Sequence, residues 1–392
     1  ICDELEVWDR TDRPYQITAN VLVCPSGTLE IGPGVEVRVV KTSPPVTIHV
    51  EGTLDSNGIP AAPVTVTSDS DVPAASDWAG VQFALSAVGT LEHTAIHHAN
   101  NALLAGDGSS LTLDGVTATQ SQTGLYVQGS GPPTVIATGC SFVENNNYGV
   151  HSLRYFGFPN PTVEIHDSSI HSNSCEFDLI VQHHADADTT IFDARNNWWG
   201  TTDMTAIGPR IHDHRHSTTS PRVDWCGYLD EPDGVPVRDV HCPDLVACDG
   251  TTIWDLTDKP YQLVTDFWVC PAGTLQVEAG VDVRMVKTTP RPDFLVEGVL
   301  DVNGVDGTPA VLGSDAPTPA AGDWDGPLLT GSSTATIEHA EFLHASNGLY
   351  VAGGAVVSLD SVTTRLNNTG LFVQGNGPPT VDATGCSFVE NN

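Results

Sequence analysis

A repeat constrains this sequence more than any other feature. Slid against itself, the 392-residue chain matches at one dominant offset, 246 residues, which never slips between residues 1–146 and 247–392. Cys2, Trp8, Pro14, Tyr15, Cys24, Lys41, Gly52, Trp78, His98, Gly124 and Cys140 return as Cys248, Trp254, Pro260, Tyr261, Cys270, Lys287, Gly298, Trp324, His344, Gly370 and Cys386. Of the 146 aligned positions 73 are identical, and GPPTVIATGCSFVENN at 131–146 recurs at 377–392 with one change, Ile136 to Asp382. The chain therefore reads as a complete unit over 1–232, a linker over 233–247 rich in Asp, Pro and Val, and a partial second unit over 248–392 that matches 2–146. The second copy breaks off in mid-pattern, and a half-built repeat leaves backbone groups unpaired. Further 246-residue units are expected beyond it.

Inside a unit a shorter period runs. Each pass brings a short run of alternating apolar residues, an Asn- or Ser-rich turn, and a small residue followed by an apolar one. The turn landmarks Ala102, Gly124, Gly149, Glu176 and Trp199 are 22, 25, 27 and 23 residues apart. Alternation over five or six residues predicts strands with one buried face. Strands this short cannot bury that face alone and need like neighbours above and below, which a solenoid supplies. The expected fold is all-β, a parallel β-helix in tandem 246-residue units. A β-sandwich array is the competing fold, but sandwich strands do not repeat one turn signature at this spacing. Turn asparagines, among them Asn101, Asn146 and Asn196, suit left-handed backbone and are expected to stack their amides from coil to coil.

Three passages resemble the right-handed parallel β-helix repeats of bacterial surface and secreted proteins in the pectin-lyase-like superfamily. They are GTLEIGPGVEVRVV through DWAGVQF and its second copy, the Asn-turn coils, and Asn196-Asn197-Trp198-Trp199-Gly200 with its tail to Trp225 and Leu229. The resemblance implies that the Asn-Trp-Trp-Gly element closes the helix, ahead of a loop-like sequence. It speaks for fold and not for function, because this fold hosts lyases, hydrolases, adhesins and spacers.

Charge narrows the partners. Asp and Glu number 49 against 15 Lys and Arg, a formal net charge of −34. Nucleic acid and anionic membranes are therefore not expected to bind. No apolar run approaches the roughly 18 residues of a membrane span, so no membrane insertion is expected. No leader is visible at Ile1, and a chain opening without Met reads as processed or as an excerpt. Six cysteines per unit favour disulfides, hence an extracellular or cell-surface location. Cys2 with Cys24, and Cys248 with Cys270, are 22 residues apart, one coil, and stacked coils lie about 4.8 Å apart, within disulfide reach. Cys226 with Cys242 is expected to brace the linker. Cys140 with Cys175 follows by elimination, with two unpaired thiols as the alternative. The absence of a Cys-x-x-Cys pair argues against zinc.

Candidate chemistry is sparse. The short motifs of similar galacturonan hydrolases and alginate epimerases are absent, and the carboxylates are scattered among turns rather than paired for acid–base work. No catalytic residue and no cofactor are expected. His212, His214 and His216 share one face if they lie on a strand, with His183 and His184 near, which would suit a metal; an exposed polar loop is the plainer reading. Asp55-Ser56-Asn57-Gly58 and Asp301-Val302-Asn303-Gly304 are compatible with calcium but lack the full spacing of a calcium loop, and read as turns. Trp78 and Trp324 would either stack sugars or plug the core at a coil corner. The sequon Asn367-Asn368-Thr369 falls in an Asn turn.

The expected function is structural: a rigid extracellular rod, stalk or filament, its partners further copies of itself docked end to end. A unit of seven to nine coils would measure on the order of 40 Å. An adhesin or glycan-binding stalk would instead show exposed aromatics in a row along one face, with polysaccharide as partner. A polysaccharide lyase or hydrolase would show carboxylates and Arg clustered in a groove.

Overall fold

The computed structural model describes residues 1–256 and 258–392. The chain divides into two compact units, Ile1–Thr202 with Arg210–Val237, and Asp203–Pro209 with Arg238–Asn392. Both are right-handed parallel β-solenoids. Residues 238–247, part of the linker expected from the sequence, pack within the second unit: Val246–Ala247 pairs with Phe267–Val269, and His241 bridges to Tyr261.

In the first unit the chain visits three parallel sheets in turn. The first sheet stacks Leu5–Trp8, Thr28–Ile31, Thr53–Asn57, Val88–Glu92, Ser110–Asp114, Thr134–Thr138, Thr162–His166, Ile191–Asp193 and Arg222–Asp224. The second runs from Tyr15–Ile17 to Ser169–His171, and the third from Val21–Val23 to Ile211–His212. The second unit repeats the plan with three six-stranded sheets. Alternation decides which side chains enter the core. In Ser110–Asp114, Leu111 and Leu113 point inward while Ser110, Thr112 and Asp114 face out. Identical register above and below then stacks like on like: Leu54, Gly89, Leu111, Val135 and Val163 form one inward row. Parallel strands of this kind are stable only with such neighbours.

The corners explain the turn sequences. Between the first and second sheets one residue per coil takes left-handed backbone, as in His93, Gly115, Gly139, Asp167 and Asn196. Between the second and third sheets the left-handed residues are His98, Gln120, Glu144 and Ser172, and the residue after each points inward. These inward residues are Ala99, Ser121, Asn145 and Asn173. The amide ladder therefore lies one position from where the sequence placed it, on Asn145 and not Asn146, which is exposed; Asn101 simply opens a strand of the third sheet. A buried amide must point inward to reach neighbouring coils, and the left-handed residue before it supplies the bend. Ser121 N–H donates to Asn145 Oδ1 at 3.1 Å, Asn145 N–H to Asn173 Oδ1 at 3.0 Å, and Asn173 N–H to Asp178 Oδ1 at 2.9 Å. Arg210 caps the row, donating to Asp178 at 2.8 Å. A second ladder links Cys140, Ser168 and Asn197 at the other corner, where Asn196 is exposed and Asn197 fully buried.

Gly80 marks a place where no side chain fits: its φ is +113°, and a Cβ would sit 1.6 Å from the Asn101 carbonyl oxygen. Its counterpart Gly326 meets Asn347 in the same way.

Cys2–Cys24 and Cys248–Cys270 are disulfides between adjacent coils, with Cα atoms 4.9 and 4.6 Å apart. Cys226 and Cys242 are also disulfide-bonded. Cys140 and Cys175 do not pair; both are free thiols. Cys140 points into the corner between the first and second sheets, near the carbonyls of Leu113 and Thr138, whereas Cys175 lies past the second sheet at the opposite corner, beside Asn147. A strand of the second sheet separates the two positions.

The Asn-Trp-Trp-Gly element does not end the ladder. After Gly200, Ile211–His212 joins the third sheet and Arg222–Asp224 joins the first. The exposed backbone edges of Leu179–Gln182 and Ile191–Asp193 need partners, and this irregular segment returns to supply them. Trp199 is buried, while Trp198 lies edge-on to His171 with ring centroids 6.2 Å apart.

Candidate functional site

The outward faces differ in chemistry. The first sheet presents Thr28, Thr53, Ser110, Thr134 and Thr162 in rows beside the carboxylates Glu30, Asp55, Glu92, Asp114 and Glu164. The third sheet presents apolar, aromatic and imidazole groups. Its outward positions Leu22, His49, Gln82, Leu104, Tyr126, His151, Ile180 and His212 fall in one register row. The same row in the second unit reads Trp268, Leu295, Leu328, Tyr350 and Phe372. Stacking at β spacing brings rings into contact: Tyr126 and His151 lie 4.9 Å apart, Tyr148 and His151 5.2 Å, and Tyr350 and Phe372 4.9 Å. Burial drives the His151 imidazole down to about 4, opposed by a hydrogen bond that the charged ring would donate to Gln182 and reinforced by nearby His212. His151 is thus a neutral ring near neutral pH.

Beside Tyr126 this face opens into a cleft of about 360 Å³ lined by Asp107, Gln128, Gly129, Ser130, Tyr155 and Phe158. Three successive coils contribute, each through the turn that leaves the third sheet. Asp107 has left-handed backbone, and its Oδ1 accepts from the Ser130 N–H at 2.8 Å and from the Ser130 hydroxyl at 2.7 Å. Those bonds hold its carboxyl below the ordinary carboxylate range. The Tyr126 hydroxyl donates to Gln128 Oε1 at 2.5 Å and fixes that amide. Tyr155 and Phe158 come from a longer loop, with ring centroids 5.9 Å apart. Neighbouring Phe156 is 93% exposed. The sequence reading missed this cleft. The Tyr155-Phe156-Gly157-Phe158 run was its one visible signal, and its partners lie one and two coils away.

The histidines singled out in the sequence do not converge. The strand stops at His212, and the chain then turns through Asp213, whose carboxylate binds Arg215 at 2.9 Å. The turn carries His216 back onto His212, stacked at 5.2 Å with Phe177 edge-on to both, and sends His214 to the Ser220 carbonyl at 3.1 Å. Alternation on one strand face, the premise for a shared metal, is lost at that turn. Among the described residues no group of three His, Cys, Asp or Glu side chains is placed to hold a metal ion. His183 lies 3.3 Å from Thr219, and His184 is buried and pushed down to about 4, first by burial and then by Arg154.

Asp55-Ser56-Asn57 and Asp301-Val302-Asn303 are strand residues, not turns; Ser56 and Val302 point into the core. Trp78 and Trp324 are fully buried corner plugs whose indole N–H groups donate to the carbonyls of His97 and Leu343 at 2.8 and 2.9 Å. They cannot stack sugars. The sequon asparagine, Asn367, is buried in the amide ladder of the second unit and donates to the Phe342 carbonyl at 3.0 Å.

A parallel coil with outward-facing rings and an apolar interior defines a β-helix protein. Residues 3–130 match the family model described as a pectate-lyase-like beta helix domain. That match covers about a third of the chain, and the parallel β-solenoid fold of both units supports the likeness to pectin-lyase-like β-helix proteins. No curated protein and no solved structure matches the chain. No helix among the described residues is long and apolar enough to cross a membrane.

Proposed function

We propose that this protein is an extracellular structural module: a rod or stalk of β-helix units that associates end to end with further copies of itself. The observation that carries this reading is the in-register ladder that runs through nine strands of the first sheet in the first unit. Such a ladder is a stiff, repeat-by-repeat scaffold whose last rung offers unpaired N–H and C=O groups to the next unit. Disulfides between the first two coils of each unit support an oxidising compartment. The charge of −34 limits sideways association and leaves the ends as the route of growth. In this reading the protein is not an enzyme and needs no cofactor.

The outward rings of the third sheet favour a second role on the same scaffold, that of a stalk that also holds glycan. Aromatic rungs give flat apolar surface without interrupting the ladder.

Electron microscopy of the native secreted material, with the intact mass of the reduced polypeptide, tests the structural reading. Uniform fibres and a mass above the 41.4 kDa of these residues are expected. Discrete monomers near that mass would refute it.

A further inference from the structure

We infer that the cleft between Asp107 and the Tyr155–Phe158 loop is a binding site for a neutral saccharide, one or two pyranose rings of a longer glycan. This rests on the glycan-holding role above and specifies its site and ligand class. The volume of about 360 Å³ falls in the ordinary range for small-ligand clefts, about 300–1,000 Å³. The chemistry on its walls is divided as a sugar requires. Tyr155 and Phe158 are 53% and 37% exposed, and their rings offer apolar faces for the C–H side of a pyranose. Opposite them, Asp107 spends only Oδ1 on Ser130; among the described residues its Oδ2 has no hydrogen-bond partner. Gln128 spends Oε1 on Tyr126 and retains both Nε2 hydrogens. An ionised acceptor beside a fixed amide donor matches a pair of adjacent hydroxyls, each of which both gives and takes a proton.

The same groups set the charge of the ligand. The cleft's one charged lining residue is a carboxylate, in a chain of net charge −34. A uronate would bring its own carboxylate against both, so acidic polymers are disfavoured. The second copy supplies a contrast: position 353, the counterpart of Asp107, is glycine, and position 376, the counterpart of Ser130, is asparagine. The feature belongs to the first unit and is not part of the repeated scaffold.

Saturation-transfer NMR and calorimetry on the full chain test this. The probes are cellohexaose, laminarihexaose and mannohexaose as neutral oligomers, with hexagalacturonate as the charged counterpart. At least one neutral oligomer is expected to bind with transfer from Tyr and Phe ring protons, and hexagalacturonate is expected not to bind. Asp107→Gly installs the residue found at position 353 and removes a left-handed non-glycine, so the backbone is relieved rather than strained. It is expected to weaken binding at least about tenfold, a loss of roughly 1.4 kcal/mol, without lowering thermal stability. Tyr155→Ser with Phe158→Ser, both on an exposed loop, is expected to do the same. Failure of every neutral oligomer to bind, equal binding of hexagalacturonate, or wild-type affinity in either variant would overturn the inference. Fibres seen by microscopy in the same variants keep the structural reading separate from this one.

Discussion

Phe83 and Gly89 make a coupled pair whose energetics can be worked from the structure. Gly89 interrupts an inward row of the first sheet between Leu54 and Leu111. A Cβ there would lie 2.6 Å from Phe83 Cε1 and 2.8 Å from its Cζ. Carbon atoms pack at about 3.5–4.0 Å, so a methyl overlaps the ring by roughly 1 Å. Phe83 is itself fully buried, on the third sheet of the same coil. In the second copy the pair is Leu329 and Ala335, both buried: the smaller side chain faces the larger backbone residue. Gly89→Ala alone should cost about 1–3 kcal/mol by overpacking, less the roughly 0.5–1 kcal/mol gained when glycine leaves a strand. Phe83→Leu alone should cost roughly 1–2 kcal/mol, because a shorter side chain leaves a void. The double variant recreates the second copy's solution and should fall within about 0.5 kcal/mol of wild type.

The assay must resolve one region, since a two-unit solenoid need not unfold in a single step. Guanidinium titration followed by hydrogen exchange on peptides spanning residues 80–92 reads the opening free energy of this coil. A favourable coupling of about 2 kcal/mol is expected. Additive single-variant costs, within about 0.5 kcal/mol, would show that the two positions do not compete for the same space.

Three further outcomes are expected. Asn145→Ala removes an acceptor from the Ser121 N–H and donors from the carbonyls of Ala118 and Val143, the first two bonds buried and the third half-buried, and should cost about 3–5 kcal/mol at roughly 1–3 per orphaned group. Asn145→Ser should cost less than half that in chemical denaturation, because Ser121 already fills the equivalent rung one coil earlier. His151 and His184, both held near 4 against an ordinary 6.5, bind protons more readily unfolded than folded. Their contribution is thus complete above about pH 6.5 and lost as pH falls toward 4, on the order of 3 kcal/mol each. The pair His151→Asn with His184→Asn should flatten the stability slope in that window, and an unchanged slope would count against the assignment. Cys140 is buried, and burial pushes its thiol up to about 12, so in the native protein iodoacetamide should modify half-buried Cys175 and spare Cys140 on peptide mapping. Equal labelling would mean that the corner is not closed.

The sequence disclosed what is periodic and concealed what is positional. Alternation in runs such as Leu111-Thr112-Leu113 told inside from outside, and the 246-residue offset told that coils stack on their like. What it did not disclose was which residue of a pair turns the chain and which fills the corner. Asn145-Asn146 and Asn196-Asn197 look alike in sequence, yet Asn145 and Asn197 are buried while their neighbours face out. The left-handed bend falls on Glu144 in one case and on Asn196 in the other, and a residue's type does not fix its place in the bend when His98, Gln120 and Ser172 do the same work. The His212–His216 reading failed at a single backbone event, the end of a two-residue strand. The cleft was hidden because its walls come from three coils, 21 or more residues apart in sequence, and meet only once register is known.

The duplication separates what the coil requires from what the surface is free to become. Inward positions of the third sheet stay apolar between copies even where they change size, as Phe83 does to Leu329, and Val23, Val50, Leu103, Leu125 and Val127 recur unchanged as Val269, Val296, Leu349, Leu371 and Val373. Outward positions one residue away do not. His49 becomes Leu295, Gln82 becomes Leu328, Leu104 becomes Tyr350, and Tyr126 becomes Phe372. A change inside alters packing in the coils above and below, where a single methylene is felt, whereas a change outside leaves the backbone ladder intact. The third-sheet face can therefore carry a different chemistry in each unit at little cost to stability. Asp107, with glycine at position 353, fits the same division. Recognition on such a scaffold belongs on these outward rungs and turns, while the inward rungs hold the coil that presents them.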